Sequence, residues 1–262
     1  MKRIIFTLLF SDGYFFLSRN FRLQKVGDIK WLLSNYDLEN ITNYIDELVI
    51  INLSKKEKFK FLKVISKISK KTFIPITAGG NINNLDDVRK ILDSGSDKII
   101  INSLFFENPQ ICREISSKYG KQFLVGSVDY KYVGRSIRII NSKKKMLTDK
   151  DLNSWINHLV FYGAGEIILQ SMDQDGTGMG LDLKILNQFK KKQVPIVLMG
   201  GVGNYEHILK AIKNKRCDAV STANLFNFIG NEFYFSRKKI EKTNKLPIKN
   251  QQQIQLFKNM FK

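Results

Sequence analysis

Along the chain, short runs of apolar residues alternate with longer stretches in which apolar positions return every three or four residues. Eight short runs read as strands: residues 3–10, 47–53, 73–78, 97–102, 123–129, 166–171, 195–200 and 218–223. Most are continuously hydrophobic, as in RIIFTLLF and ELVIINL. That pattern belongs to parallel strands covered on both sides. Between them, stretches such as NLDDVRKILDSG and NYEHILKAIKNK carry apolar residues at helical spacing. Eight strands alternating with helices predict an α/β fold, a (β/α)8 TIM barrel.

An internal repeat supports this expectation. IPITAGGNINNLDDVRKILDSGSDKIIINSLF returns as VPIVLMGGVGNYEHILKAIKNKRCDAVSTANLF, with Gly79 and Gly200 121 positions apart. Two half-barrels, about 1–120 and 121–230, would explain it, in a single domain spanning 1–262 with a basic C-terminal helix or tail over 231–262. Residues 12–38 form a long connection expected to lie over the barrel mouth, and 130–148 read as an inserted hairpin. Long loops at that face usually shape a site.

The net charge of +19 raises the question of a polyanionic partner, but the excess is lysine scattered through segments such as SKKEKFKFLK and SKKKM. It reads as a solvated coat, and no nucleic-acid partner is expected. No apolar run is long enough to span a bilayer, so no membrane association is expected. The basic, apolar N-terminus reads as a first buried strand because no small-residue cleavage site follows it. Cys112 and Cys217 form no metal or redox motif, which points to the cytoplasm, with no metal and no cofactor.

Candidate chemistry gathers at the strand ends, where such barrels place their sites. Gly79-Gly80 and Gly200-Gly201 follow strands three and seven; Asn102-Ser103 and Ala223-Asn224 follow strands four and eight. Backbone amides at glycine turns and helix starts favour anions, so these pairs predict phosphate binding at two symmetric places, joined by Asp175, Gly176 and Thr177. Asp129, Asp173 and Asp175 are carboxylates converging on one mouth, suited to proton transfer. His158 and His207 fall in helices and read as structural.

KRII, DG at 12–13, DELV, GSDKIIINS, SVDYK, GAGEIILQSMDQDGTGMGLD and MGGVGNYEH together resemble the cyclase subunit of imidazole glycerol phosphate synthase over nearly the whole length. The resemblance implies a substrate with two phosphates. It also implies a glutaminase partner on the N-terminal barrel face that sends ammonia through the interior. The family's ammonia gate of one Arg, one Lys and two Glu falls on Arg3, Lys98, Glu47 and Glu166, all kept. Asp129 falls on the family's second catalytic carboxylate, Asp175 and Thr177 are kept as well, and Asp129 and Asp175 are the expected catalytic proton acceptors.

Other positions depart from the family. Its catalytic Asp at the end of strand one falls on Leu9, a Lys on Leu17, an Asp on Asn52 and a third glycine on Asn81. Losing a general acid/base costs about 10²–10⁴-fold. The chain is similar to a diverged branch that converts an acetamido group on a surface-polysaccharide sugar to an acetamidino group, working with a glutaminase and a separate amidotransferase-like protein. That similarity implies a phosphorylated or nucleotide-linked acceptor. Two alternatives stand beside it: a genuine histidine-pathway cyclase in which Asp12 slips inward to replace the lost carboxylate, and a non-catalytic activator of the glutaminase.

Overall fold

The computed structural model of the chain describes residues 2–35, 38–54, 56–189, 193–223 and 238. Strand β1 (Arg3–Ser11) turns back into β2 (Tyr14–Arg19) and β3 (Arg22–Asp28), followed by helices α1 (Ile29–Asn35) and α2 (Leu38–Ile41). Then come β4 (Glu47–Asn52), α3 (Lys58–Ser69), β5 (Ile76–Gly79), α4 (Leu85–Asp93), β6 (Lys98–Ile101), α5 (Leu104–Glu107) and α6 (Pro109–Tyr119). The second half holds β7 (Leu124–Val133), β8 (Ser136–Asn141), β9 (Met146–Thr148), α7 (Leu152–Phe161), β10 (Glu166–Ser171), β11 (Ile196–Met199), α8 (Tyr205–Lys213) and β12 (Ala219–Thr222).

Eight of these strands pair in parallel in the order β1-β4-β5-β6-β7-β10-β11-β12, and β12 closes on β1. The result is the closed (β/α)8 barrel expected from the pattern of apolar runs. Each barrel strand turns one set of side chains inward and the other toward the helices. Ile5, Val49, Ile100, Val125, Ile168, Val197, Met199 and Ala219 form the inner apolar cluster. The outer set packs under helices whose apolar stripe matches the helical period, such as Phe61, Val64, Ile65 and Ile68 of α3.

The sequence repeat is also a repeat of contacts. Asp97 accepts a hydrogen bond from Ile76 N at 2.8 Å, and Asp218 accepts from Ile196 N at 2.8 Å. Asn84 and Asn204 cap α4 and α8 with nearly identical backbone angles, accepting from Asp87 N and His207 N. Asparagine at an N-cap satisfies an amide that the helix leaves unpaired.

Both long connections are built of strands. The described part of the first, residues 12–35, is a hairpin and a helix rather than a loop: β2 pairs antiparallel with β1, Leu9 opposite Phe16, through a turn at Asp12-Gly13 where both residues have positive φ. The 130–148 hairpin begins within the barrel, because β7 runs on past Asp129 to pair with β8. Among the described residues no helix is long and apolar enough to cross a membrane, and no group of three or more His, Cys, Asp or Glu is placed to hold a metal ion. The expected C-terminal helix or tail lies outside the described residues, Lys238 apart.

Candidate functional site

Each end of the barrel carries a cluster of polar residues. At the N-terminal end, Arg3, Glu47, Lys98 and Glu166 are the first residues of β1, β4, β6 and β10, all facing inward. Arg3 donates to Glu47 at 2.8 Å and to both carboxylate oxygens of Glu166. Lys98 donates to Glu47 at 2.9 Å and to Glu166 at 3.4 Å. Thr77 donates to the remaining Glu47 oxygen. The two carboxylates are nearly inaccessible, while the Arg3 and Lys98 side chains keep 21% and 22% exposure. Burial opposes the Arg3 charge, but the contacts to Glu166 and then Glu47 outweigh it and raise the guanidinium pKa. Two positive and two negative groups thus form one neutral ring, the arrangement in which buried charge is tolerated.

At the C-terminal end, Asp129 points inward from β7 and is buried. It accepts hydrogen bonds from Asn102 at 3.0 Å and from Ser142, which the turn between β8 and β9 supplies. Burial pushes its pKa up to about 6; the Ser142, Ser127 and Asn102 contacts pull the other way, and nearby Asp175 adds to the rise. A carboxyl near neutrality can both take and return a proton. Leu9 faces the same interior from β1 and is 5% exposed. Asp12 does not replace it. It sits exposed in the turn with φ 50°, accepting from Ser54 at 2.6 Å and Ser11 at 2.9 Å, contacts that hold its pKa low.

Asp175 plays a different part from Asp129. The β2–β3 hairpin reaches across the mouth to the loop after β10, where Asp175 Oδ2 accepts from Ser18 Oγ at 2.5 Å and Phe21 N at 3.0 Å. Asn20 N donates to Asp175 O at 2.9 Å, and Asn20 Nδ2 donates to Met172 O at 3.1 Å. Both residues of the hairpin turn, Asn20 and Phe21, have positive φ. That conformation suits a two-residue hairpin but strains a bulky residue such as phenylalanine, and Asp175 holds it there. Burial raises the Asp175 pKa, against the Ser18 and Phe21 contacts.

Residues 24–230 match the family model described as "Histidine biosynthesis protein". An imidazole glycerol phosphate synthase subunit HisF of Dictyoglomus thermophilum is 37% identical over 207 residues, covering 78% of this chain and 80% of that one. The chain belongs to the HisF-type family. A HisF subunit of Exiguobacterium sp. is 33% identical over 230 residues, 86% and 88% of the two chains. A protein of Parasynechococcus marenigrum provisionally named imidazole glycerol phosphate synthase subunit hisF2 is 38% identical over 244 residues, 92% and 91%.

In this HisF-type chain the glycines expected to cradle phosphate are packed tightly against neighbouring backbone. A Cβ on Gly79 would overlap Ile100 O, and one on Gly80 would overlap Asn52 O. A Cβ on Gly201 would overlap Gly180 O, and the Gly180 amide donates to Gly201 O at 2.7 Å. Gly200 has φ 103°, and Gly176 lies under the hairpin at Ser18 and Arg19. Asn81, in place of a third glycine, adopts φ 55° and donates to Asn52 O at 3.1 Å and Ser54 O at 2.7 Å. Asn102, expected at a phosphate, donates from its Nδ2 to Asp129, while Ser103 leads into α5. Thr177 Oγ1 donates to Gln174 O at 2.8 Å. Ala223 follows β12, and Asn224 lies outside the described residues.

The remaining positions singled out in the sequence lie apart from these loops or make contacts of their own. Leu17 lines a cavity under the hairpin, and Asn52 is buried with its Oδ1 accepting from Ser54 N. His158 bonds Phe105 O at 3.1 Å and stacks on Trp155; His207 Nδ1 accepts from Gly203 N. Asp173 accepts from Tyr132 N at 2.8 Å. Sequence reasoning missed Ser142, Ser18 and Phe21, the partners of the two buried carboxylates. They lie on the two hairpins, 13 to 157 positions away from the groups they hold.

Proposed function

We propose that this chain is the ammonia-accepting synthase subunit of a glutamine amidotransferase complex. A glutaminase subunit docks on the N-terminal barrel face, and ammonia passes the Arg3–Glu47–Lys98–Glu166 ring and the apolar interior to the mouth. There it attacks an activated amide carbon on a phosphorylated or nucleotide-linked sugar, forming a C–N bond as the activating group leaves. Asp129 accepts the proton that the attacking nitrogen sheds. The product is an acetamidino sugar for a surface polysaccharide, and a separate amidotransferase-like protein supplies the activated acceptor. The strand-end loops, from Gly79-Gly80 through Asn224, hold its phosphates.

One observation carries this reading: Leu9, an alkyl side chain facing the interior, stands where the family resemblance places a proton-transferring carboxylate, while the ring below is intact. The second reading, imidazole glycerol phosphate ring closure in histidine synthesis, is favoured by the names of the HisF relatives and by Asp129, whose pKa of about 6 suits acid/base work. A cyclase assay separates the two. The purified chain receives excess ammonium and the histidine-pathway ribonucleotide, beside a Leu9→Asp variant. The first reading expects no ring closure by the natural chain, with stimulation of a co-expressed glutaminase. Ring closure at an ordinary turnover rate would restore the second.

A further inference from the structure

The β2–β3 hairpin and the start of the β7–β8 hairpin border an open cavity of about 850 Å³ whose lining includes Arg19, Arg22, Lys131, Asp173 and Gly176. We infer that Arg19, Arg22 and Lys131 form a subsite for a diphosphate group, separate from the Gly79-Gly80 and Gly200-Gly201 loops. The inference rests on the reading that this mouth receives the acceptor, and it narrows that acceptor to a diphosphate-linked one.

Arg19 and Arg22 face each other as the closing pair of the hairpin. Like charges directly opposite across an antiparallel pair destabilise it, so the arrangement has a cost without an anion between or beside them. Elsewhere the guanidiniums of Arg3, Arg89 and Arg138 each meet a carboxylate, Arg113 lies over the Phe161 ring and Arg216 donates to Leu186 O. Among the described residues, no ion pair engages Arg19, Arg22 or Lys131. The one carboxylate in the lining, Asp173, is turned to the Tyr132 amide.

The position also fits. Lys131 lies two residues beyond Asp129 on β7, hence on the same face and about 7 Å further along. An anionic group held there leaves the rest of the molecule next to Asp129. The hairpin tip is fixed by five hydrogen bonds to the Met172–Asp175 loop, so the backbone that carries the two arginines is in place before a ligand arrives. Two planar guanidiniums and an ammonium match the several oxygens and charges of a diphosphate better than a single carboxylate or sulfate would.

The probe is inorganic pyrophosphate, titrated calorimetrically into the full chain at two salt concentrations. The natural chain is expected to bind it. The Arg19→Ala/Arg22→Ala double variant is expected to bind about tenfold more weakly or worse, with a shallower salt dependence. Arg19→Gln/Arg22→Gln, which keeps a polar side chain on each strand while removing both charges, should lose the same affinity and guards against a hairpin that fails to form. Unchanged affinity in both variants would place the anion on the strand-end loops and overturn the subsite, as would absence of binding to the natural chain. Amidination itself is read separately: pyrophosphate binding with the expected losses, but no transfer of ammonia to any acetamido sugar, would sink the functional reading and leave the subsite standing.

Discussion

The two ends of the barrel treat buried charge in opposite ways. At the N-terminal end four charges cancel one another within hydrogen-bonding distance. At the C-terminal end Asp129 is buried among neutral donors, with another carboxylate near it, and its pKa is pushed up to about 6. Paired charge fixes a geometry; unpaired, desolvated charge stores reactivity. On the function proposed above, the first end admits ammonia and the second moves its proton.

Replacing Asp129 with Asn probes that contrast most severely. Product formation is expected to fall by about 10²–10⁴-fold while glutaminase stimulation persists. In the natural chain the rate should rise as pH rises through about 6, because the proton-accepting form is the ionised one. Stability runs the other way. The folded pKa lies above the ordinary 3.8, so the folded state binds the proton more tightly, and that contribution, complete below pH about 4, is lost as pH rises through about 6. Asp129→Asn should therefore be more stable than the natural chain at pH 8, by up to about 3 kcal/mol, with the gain fading by pH 4 in denaturant melts.

Breaking the ring is expected to cost stability at any pH near neutrality. Glu47→Gln leaves Arg3 and Lys98 sharing Glu166, and about 3 kcal/mol should be lost, the low end for a broken buried pair because both cations are partly exposed. Urea unfolding gives that number. Comparing glutamine-driven with ammonium-driven turnover then tells whether the ring also matters for transfer, since only the first should drop.

The next smaller effect concerns the hairpin cover. Gly176→Ala adds a Cβ into Ser18 O at a residue with φ 68°, and should lift the hairpin at a cost of about 2 kcal/mol. Hydrogen exchange at the Asn20 and Phe21 amides, which bond to Asp175, would report it directly. Smallest of all, Asn81→Gly removes two side-chain bonds to the end of β4 and the loop after it and relieves a left-handed residue. Its net cost should stay within about 1 kcal/mol by thermal melting.

The barrel was legible in the sequence because a parallel strand buried on both faces leaves an unbroken apolar run, and every one of the eight runs became a barrel strand. Boundaries were less so: 73–78 was read as a strand, but Phe73 is half exposed and pairing starts at Ile76. The four ring residues could be named only through the family resemblance, since nothing in a local pattern says that residues 3, 47, 98 and 166 meet. The partners of the carboxylates were illegible for the same reason. Ser18 reaches Asp175 only once β2 has been laid antiparallel on β1, and Ser142 reaches Asp129 only because β7 outruns the barrel.

Strand β1 joins the two ends, carrying Arg3, Ile5, Thr7 and Leu9 inward in alternation before it turns into the hairpin. Because that alternation has a period of two, inserting or deleting one residue between Arg3 and Leu9 would rotate one of them out among the helices. The distance between ring and mouth along this strand can thus change in descent only by pairs of residues. Point replacement at a fixed position leaves both ends in place, which makes it the easier route by which such a barrel could change the residues at one end and keep those at the other.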